Sequence, residues 1–186
     1  VPTQLPQGIV SACIPKRGAW QDVLVPNSPG WATENSIVAT SSLRRAAQWR
    51  HKYPSLKITD IRGNVPTRLK KLNESDYDGT IMAMAGLSRL EMLPENNVVL
   101  DWMIPAPAQG AILVTVLKEN QELLPALKTL NHEETERCVN EERVFLRTLE
   151  GGCTAPIGAL AQIVQNKIHF KGCITQKDGA KQLVFD

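Results

Sequence analysis

Four arginines fall where the chain's pattern changes from strand to helix. Arg44 and Arg45 stand in Thr40-Ser41-Ser42-Leu43-Arg44-Arg45, and Arg62 and Arg68 in Ile61-Arg62-Gly63-Asn64-Val65-Pro66-Thr67-Arg68. The first backbone N–H groups of a helix have no intrahelical partner and carry a partial positive charge, so such a turn suits a carboxylate or phosphate. The hydroxyls of Thr40, Ser41 and Ser42 add donors, and a guanidinium grips a carboxylate through two parallel bonds. Between Ser41 and Lys71 nine Lys/Arg residues face one acid, Asp60, in a chain whose net charge is only +2. The implied partner is a compact anion carrying several charges. Two other readings compete. Serine caps and solvated arginines would look the same at one turn, and a basic stretch containing Trp49 and Tyr53 could track a nucleic-acid backbone. Against nucleic acid, the arginines gather at helix starts and no glycine-rich or aromatic RNA-binding motif accompanies them.

A thiol is the second chemical group of interest. In Leu149-Glu150-Gly151-Gly152-Cys153-Thr154-Ala155-Pro156-Ile157-Gly158 the paired glycines let a bulky group approach the backbone beside Cys153. A buried, inert cysteine is the plainer alternative. Cys13, Cys138 and Cys173 are widely spaced, with no Cys-x-x-Cys pair, and read as reduced thiols of a cytoplasmic protein. His132-Glu133 opens like a zinc-protease motif, but Glu136 stands where the second histidine belongs, so no metal site is expected.

These groups need a scaffold. Strand signals over 36–40, 56–61 and 79–84 alternate with helix signals over 42–53 and 65–73, which predicts an α/β unit with a mostly parallel sheet. Segments 97–102 and 111–117 read as further strands, separated by Pro105 and Pro107 at a crossover. Helix is expected from Asn120 through Leu130 and from His132 to Leu149. Strands over 157–164, 167–175 and 181–185 then form a three-stranded antiparallel sheet, turning at Gln165-Asn166 and Lys177-Asp178-Gly179. The predicted organisation is an α/β domain over 1–103 with an N-terminal linker strand, a crossover over 104–119, and a small α+β domain over 120–186. Of the 186 residues 42% are apolar and 22% charged. No apolar run approaches the roughly 18 residues of a membrane span, so neither a membrane nor a nucleic acid is the expected partner.

The ordered set of Thr40 to Arg45, Ile61 to Arg68, Ala85-Gly86-Leu87-Ser88-Arg89, Gln109-Gly110-Ala111 and Glu150 to Gly158 closely resembles the porphobilinogen deaminase, or hydroxymethylbilane synthase, family. The resemblance runs along the whole chain and implies a fold like that of the two-lobed periplasmic binding proteins. It implies that Cys153 carries a dipyrromethane cofactor through a thioether. It also implies a transferase that joins four porphobilinogens head to tail, releasing ammonia and then hydroxymethylbilane. Each pyrrole bears an acetate and a propionate, and the motif match assigns their binding to Ser42, Arg44, Arg45, Arg62 and Arg68, with Thr40, Ser41, Arg89 and Gln109 as further candidates.

Three local departures stand out: Pro66 in place of a small or polar residue, Ala108 in place of the glycine before Gln109-Gly110, and Lys16-Arg17-Gly18-Ala19-Trp20 without an acidic-Pro stretch. The resemblance also places the family's catalytic aspartate just before Val1, so the 186 residues alone are expected to be inactive and to contain no catalytic residue. The parent is expected to be monomeric. The run Ala111 to Leu117 is expected to lack a strand partner, so that the fragment self-associates through it. Arg44 and Arg62 are expected to be surface residues. A non-catalytic polycarboxylate-binding module remains the alternative function.

Overall fold

The computed structural model describes residues 5–30, 35–149 and 156–186. Its centre is a five-stranded sheet of β2 (Asp22–Pro26), β3 (Ile37–Ala39), β4 (Lys57–Thr59), β5 (Gly79–Ala83) and β6 (Val98–Val99), in the order β4-β3-β5-β2-β6. β3 pairs in parallel with β4 and β5, while β2 runs antiparallel to β5 and β6, so β2 alone is reversed. Helices α1 (Leu43–Lys52), α2 (Val65–Asn73) and α3 (Met84–Arg89) follow β3, β4 and β5.

β2 shows why both faces of this sheet are covered. Side chains alternate across a strand, and here Leu24 joins Val38, Trp49, Ile81, Leu100 and Met103 on one face. Val23 and Val25 join Leu72, Met82 and Leu87 on the other. α1 contributes Trp49 to the first cluster and α2 contributes Leu72 to the second. Full burial of such side chains stabilises by roughly 1.5–3 kcal/mol each, which fixes the height at which each helix begins.

The antiparallel sheet also forms as read, from β8 (Ile157–Val164), β9 (Lys167–Thr175) and β10 (Gln182–Phe185). Gln165 and Asn166 both have positive φ, 49° and 61°, as a two-residue turn of the right twist requires. α5 (Glu133–Thr148) lies against β8, and Phe145 meets Phe170 and Phe185 edge-on at 5.1 and 5.6 Å. His132 turns out to be the cap of α5: its side chain accepts from the Thr135 N–H, and three glutamates occupy the first turn. The hairpin turn before β10 touches α1, where the Gly179 carbonyl lies 2.8 Å from His51 Nδ1 and Arg50 Nη1 donates to the Lys177 carbonyl. Gly179 has φ +81° and no room for a Cβ against Arg50, so this contact demands glycine.

Several boundaries differ from the sequence reading. β2 and α3 carried no recognised signal, and the strand expected over 97–102 contracts to Val98–Val99. The continuous helix expected from Asn120 to Leu130 is a single 3-10 turn, Gln121–Leu123, followed by α4 (Leu124–Lys128), with Pro125 in the first turn of α4. β7 (Val114–Leu117) is shorter than the apolar run and is not partnerless: β1 (Ile9–Cys13) pairs with it antiparallel. That pairing corrects the expectation of an unpaired strand, and β1 supplies the reason.

Two connections run side by side between this ribbon and the five-stranded sheet: residues 14–21 leading in and 104–113 leading out. The Gly18 N–H donates to the Gly110 carbonyl, Arg17 Nε to the Gln109 carbonyl, and Gln109 Nε2 to the Trp20 carbonyl. Gly110, at φ +83°, sits so close to Ala19 that a Cβ would lie 2.4 Å from its carbonyl oxygen. No helix among the described residues is long and apolar enough to cross a membrane.

Candidate carboxylate-binding site

Each of the two basic helix starts is built around a polar cap. Ser42 caps α1 by accepting from the Arg45 N–H at 3.4 Å, and its own N–H donates to Thr40 Oγ1. Ser41 joins the two turns: its hydroxyl donates to the Ile61 carbonyl at 2.8 Å and accepts from the Ile61 N–H at 3.1 Å. Asn64 caps α2, its Oδ1 accepting from the N–H and the hydroxyl of Thr67. Pro66 lies in the first turn of α2, where no intrahelical N–H bond is lost.

The arginines part company at this point. Arg44 and Arg45 are buried, at 5% and 8% exposure, which corrects the surface placement expected of Arg44. The reason is Asp22, a fully buried carboxylate at the start of β2. Asp22 Oδ2 lies 2.8 Å from Arg44 Nη1, and Asp22 Oδ1 lies 2.8 Å from Arg45 Nη2 and 2.9 Å from Arg45 Nε. Arg45 also donates to the Ile81 carbonyl, and Arg44 to the Ile104 carbonyl and Gln109 Oε1. Gln109 closes the cluster by donating from Nε2 to Asp22 Oδ1 at 3.0 Å.

Burial pushes the Asp22 carboxyl up, but the neighbouring guanidinium groups and their hydrogen bonds outweigh it and hold the group below its ordinary 3.8. Burial drives Arg45 in the opposite sense, below its ordinary value, with Asp22 opposing the shift. Among the described residues one carboxylate faces these two guanidinium groups, so the cluster carries one positive charge in excess. Arg44 Nε is buried without a hydrogen-bond partner. Beside the cluster lies a cavity of about 280 Å³ lined by Arg45, Gly63, Asn64, Arg68, Met82 and Gly86 among others. Its polar wall can receive an anion, and its apolar residues can receive a ring.

Arg62 and Arg68 are held differently. Arg62 is exposed and Arg68 half-buried. Arg68 Nε donates to the Gly63 carbonyl at 2.8 Å, and Lys71 Nζ to the Arg62 carbonyl at 3.0 Å, both at the surface. Arg89, at the end of α3, is exposed and reaches the Gly110 carbonyl at 3.4 Å. Thr40 is buried beneath α1. Cys153 lies outside the described residues. The other three cysteines are free and buried, and burial raises the Cys138 and Cys173 thiols, which suits neither to nucleophilic work.

Residues 1–125 match the family model described as "Porphobilinogen deaminase, dipyromethane cofactor binding domain", and residues 136–186 the model described as "Porphobilinogen deaminase, C-terminal domain". The chain belongs to the porphobilinogen deaminase family. The porphobilinogen deaminase of Prochlorococcus marinus (strain NATL2A) is 42% identical over 194 residues, covering 100% of this chain and 61% of the relative. That of Listeria welshimeri is 41% identical over 191 residues, covering 98% of this chain and 62% of the relative. The chain thus spans about three-fifths of the length of these relatives. Among solved structures, the substrate binding protein of an amino acid ABC transporter overlaps 77% of this chain and 66% of its own at 15% identity, with a TM-score of 0.31, too slight a likeness to carry an argument.

Two acids of this chain carry no motif that marks them in the sequence. Asp22 could have been noticed as a lone carboxylate opening the apolar run Val23-Leu24-Val25, a place where an acid must find a buried partner. Glu142 had no local signal. It is fully buried on α5 and accepts from Arg17, 125 residues away, at 2.6 Å. It also accepts from the Ala161 N–H at 2.8 Å and the Ala108 N–H at 2.6 Å. Ala108 itself has φ 63°, a conformation in which an alanine is strained by roughly 1–2 kcal/mol. Glu142 therefore pins the strained residue of the outgoing connection to α5 and β8.

Proposed function

We propose that the protein carrying this chain is a transferase of tetrapyrrole biosynthesis, joining four porphobilinogens head to tail into hydroxymethylbilane with release of ammonia. The observation that carries this reading is the buried Asp22–Arg44–Arg45 cluster, which keeps one positive charge in excess beside a cavity that Arg45 shares with Arg68. A buried excess cation is costly unless an anion completes it. The acetate and propionate of a pyrrole supply such anions, and their ring suits the apolar wall. The cavity between Arg45 and Arg68, part polar and part apolar, accordingly fits a dipyrromethane bearing several carboxylates.

On this reading Arg44, Arg45, Arg62 and Arg68 hold the carboxylates, with Ser42 and the start of α1 beside them. Thr40, Ser41, Arg89 and Gln109 shape the surroundings. Cys153 provides the sulfur of a thioether: its thiolate bonds to the aminomethyl carbon of a pyrrole unit as that carbon's nitrogen departs as ammonia. When bound, dipyrromethane supplies the pyrrole carbon onto which the first substrate is joined. Holding each incoming ring by both carboxylates turns a collision into an oriented encounter, the largest service such a site can give. The protein acts in the cytoplasm as a monomer, without nucleic acid.

The test is to incubate the native protein with porphobilinogen, measure ammonia and the linear tetrapyrrole, and map the modified peptide by mass spectrometry. Both products and an adduct on Cys153 are expected. An adduct on Cys13, Cys138 or Cys173, or carboxylate binding without ammonia release, would overturn the reading in favour of another attachment site or a binding module.

A further inference from the structure

We propose that Asp22 is a positioning residue of this site, holding Arg44 and Arg45 through its two oxygens so that the Arg45 guanidinium is fixed against the cavity it shares with Arg68. The inference rests on the carboxylate-binding reading and adds the group that sets its geometry. Asp22 Oδ1 takes the side of Arg45, through Nε at 2.9 Å and Nη2 at 2.8 Å, whereas Oδ2 takes the tip of Arg44, through Nη1 at 2.8 Å. The two guanidinium planes are therefore held by different edges. Arg44 is held in the interior behind the cavity wall, and Arg45 is turned so that it lines the cavity with Arg68.

Three features separate this arrangement from an ordinary buried ion pair. First, the stoichiometry is one acid to two bases, so the pair does not neutralise itself. Second, Asp22 lies on β2, the one reversed strand, paired along five residues with β5; it is thus anchored on an interior strand of the sheet and not on the helix it steers. Third, Gln109 binds Asp22 and Arg44 at once, donating to the former at 3.0 Å and accepting from the latter at 3.2 Å. The outgoing connection therefore meets the same carboxylate as both arginines. Asp22 sets where the site's charge stands relative to the two segments that link the sheet to the β1–β7 ribbon.

The discriminating variant is Asp22→Glu in the native protein, because it keeps the charge and moves the carboxylate by about one C–C bond, roughly 1.5 Å. A misplacement of about 1 Å at a site that works by orientation costs on the order of a hundredfold. The expected result is a melting curve close to that of the unaltered protein with kcat/KM for porphobilinogen, counted per cofactor-loaded molecule by intact mass, down at least tenfold. The second readout is independent of activity: the Arg44 and Arg45 Nε–H resonances shift in the glutamate variant while that of Arg62 does not. Should the glutamate variant fail to fold, Gln109→Asn alters the same node without touching a buried charge, and a three- to tenfold loss with shifted Arg44 resonances is expected. Wild-type kinetics and unmoved arginine resonances in a folded Asp22→Glu or Gln109→Asn protein would overturn the proposal. If the unaltered protein releases no ammonia from porphobilinogen, the functional reading fails first and takes this inference with it.

Discussion

The starts of α1 and α2 look alike in sequence, each with a capping residue and two arginines, yet they are opposite in construction. At α1 the guanidinium groups are buried and bound to Asp22, Gln109 and the backbone carbonyls of Ile81 and Ile104. At α2 Arg62 is exposed and Arg68, half-buried, donates to the Gly63 carbonyl beside it. The lesson is that a basic motif states the sign of the ligand but not how the charge is held. A partner carboxylate elsewhere in the chain decides that. The first turn carries a preformed, rigid charge; the second carries adaptable ones that can follow a growing ligand.

The sharpest way to break this comparison is to remove one arginine from each turn. Arg45→Ala leaves Asp22 with an impaired set of partners in the interior and should destabilise the fold by about 3–5 kcal/mol. Arg62→Ala, at an exposed position, should stay within about 0.5 kcal/mol of the unaltered protein. Urea unfolding of both variants decides it, and equal stabilities would dissolve the distinction. Arg44→Ala belongs with Arg45→Ala, which reverses what a surface placement had implied for it.

A second contrast is in acid. The Asp22 carboxyl is held below its ordinary 3.8 in the folded protein. Its contribution is therefore fully present above that value and is lost as pH falls through the lower, folded value. Stability measured against pH should show this acid limb in the unaltered protein and in Arg62→Ala, but not in Asp22→Asn. A limb that survives in Asp22→Asn would assign it to another group.

Smaller effects come from the caps. Ser42→Ala and Asn64→Ala should each cost about 1 kcal/mol, because each removes the acceptor for an otherwise unpartnered N–H at a helix start. The two turns should respond alike here, since capping is the feature they share. Smaller still is Ala108→Gly. Relief of the φ 63° conformation should raise stability by about 0.5–1 kcal/mol, read from the melting midpoint. No gain would mean that the Glu142 contact, not the backbone angle, sets the energy of this segment.

Much of the scaffold was legible because its signals are local. The helix read over Val65 to Asn73 forms over the same residues, where Asn64 caps it and Pro66 sits in its first turn, and the β8–β9 hairpin turns at Gln165-Asn166 as read. β2 was missed because a strand buried on both faces shows no alternation. α3 was missed because six residues are too few to show a helical period. In the site, residue types were readable and their burial was not. Arg44 and Arg45 follow Ser42 as surface arginines would, and nothing nearby announces that Asp22, more than twenty residues earlier, will draw them inside. The Arg17–Glu142 pair is hidden for the same reason, at a far greater separation along the chain.

The central claim is that the basic helix starts recognise the carboxylates of a pyrrole. Its most direct test compares porphobilinogen with its dimethyl ester, in which ring and aminomethyl group are kept and both negative charges removed, as substrates for ammonia release by the native protein. The account predicts turnover of porphobilinogen and a kcat/KM for the diester at least a hundredfold lower, the loss expected when about two charge-assisted contacts of roughly 1.5–3 kcal/mol each disappear. Equal turnover of the two compounds would contradict it.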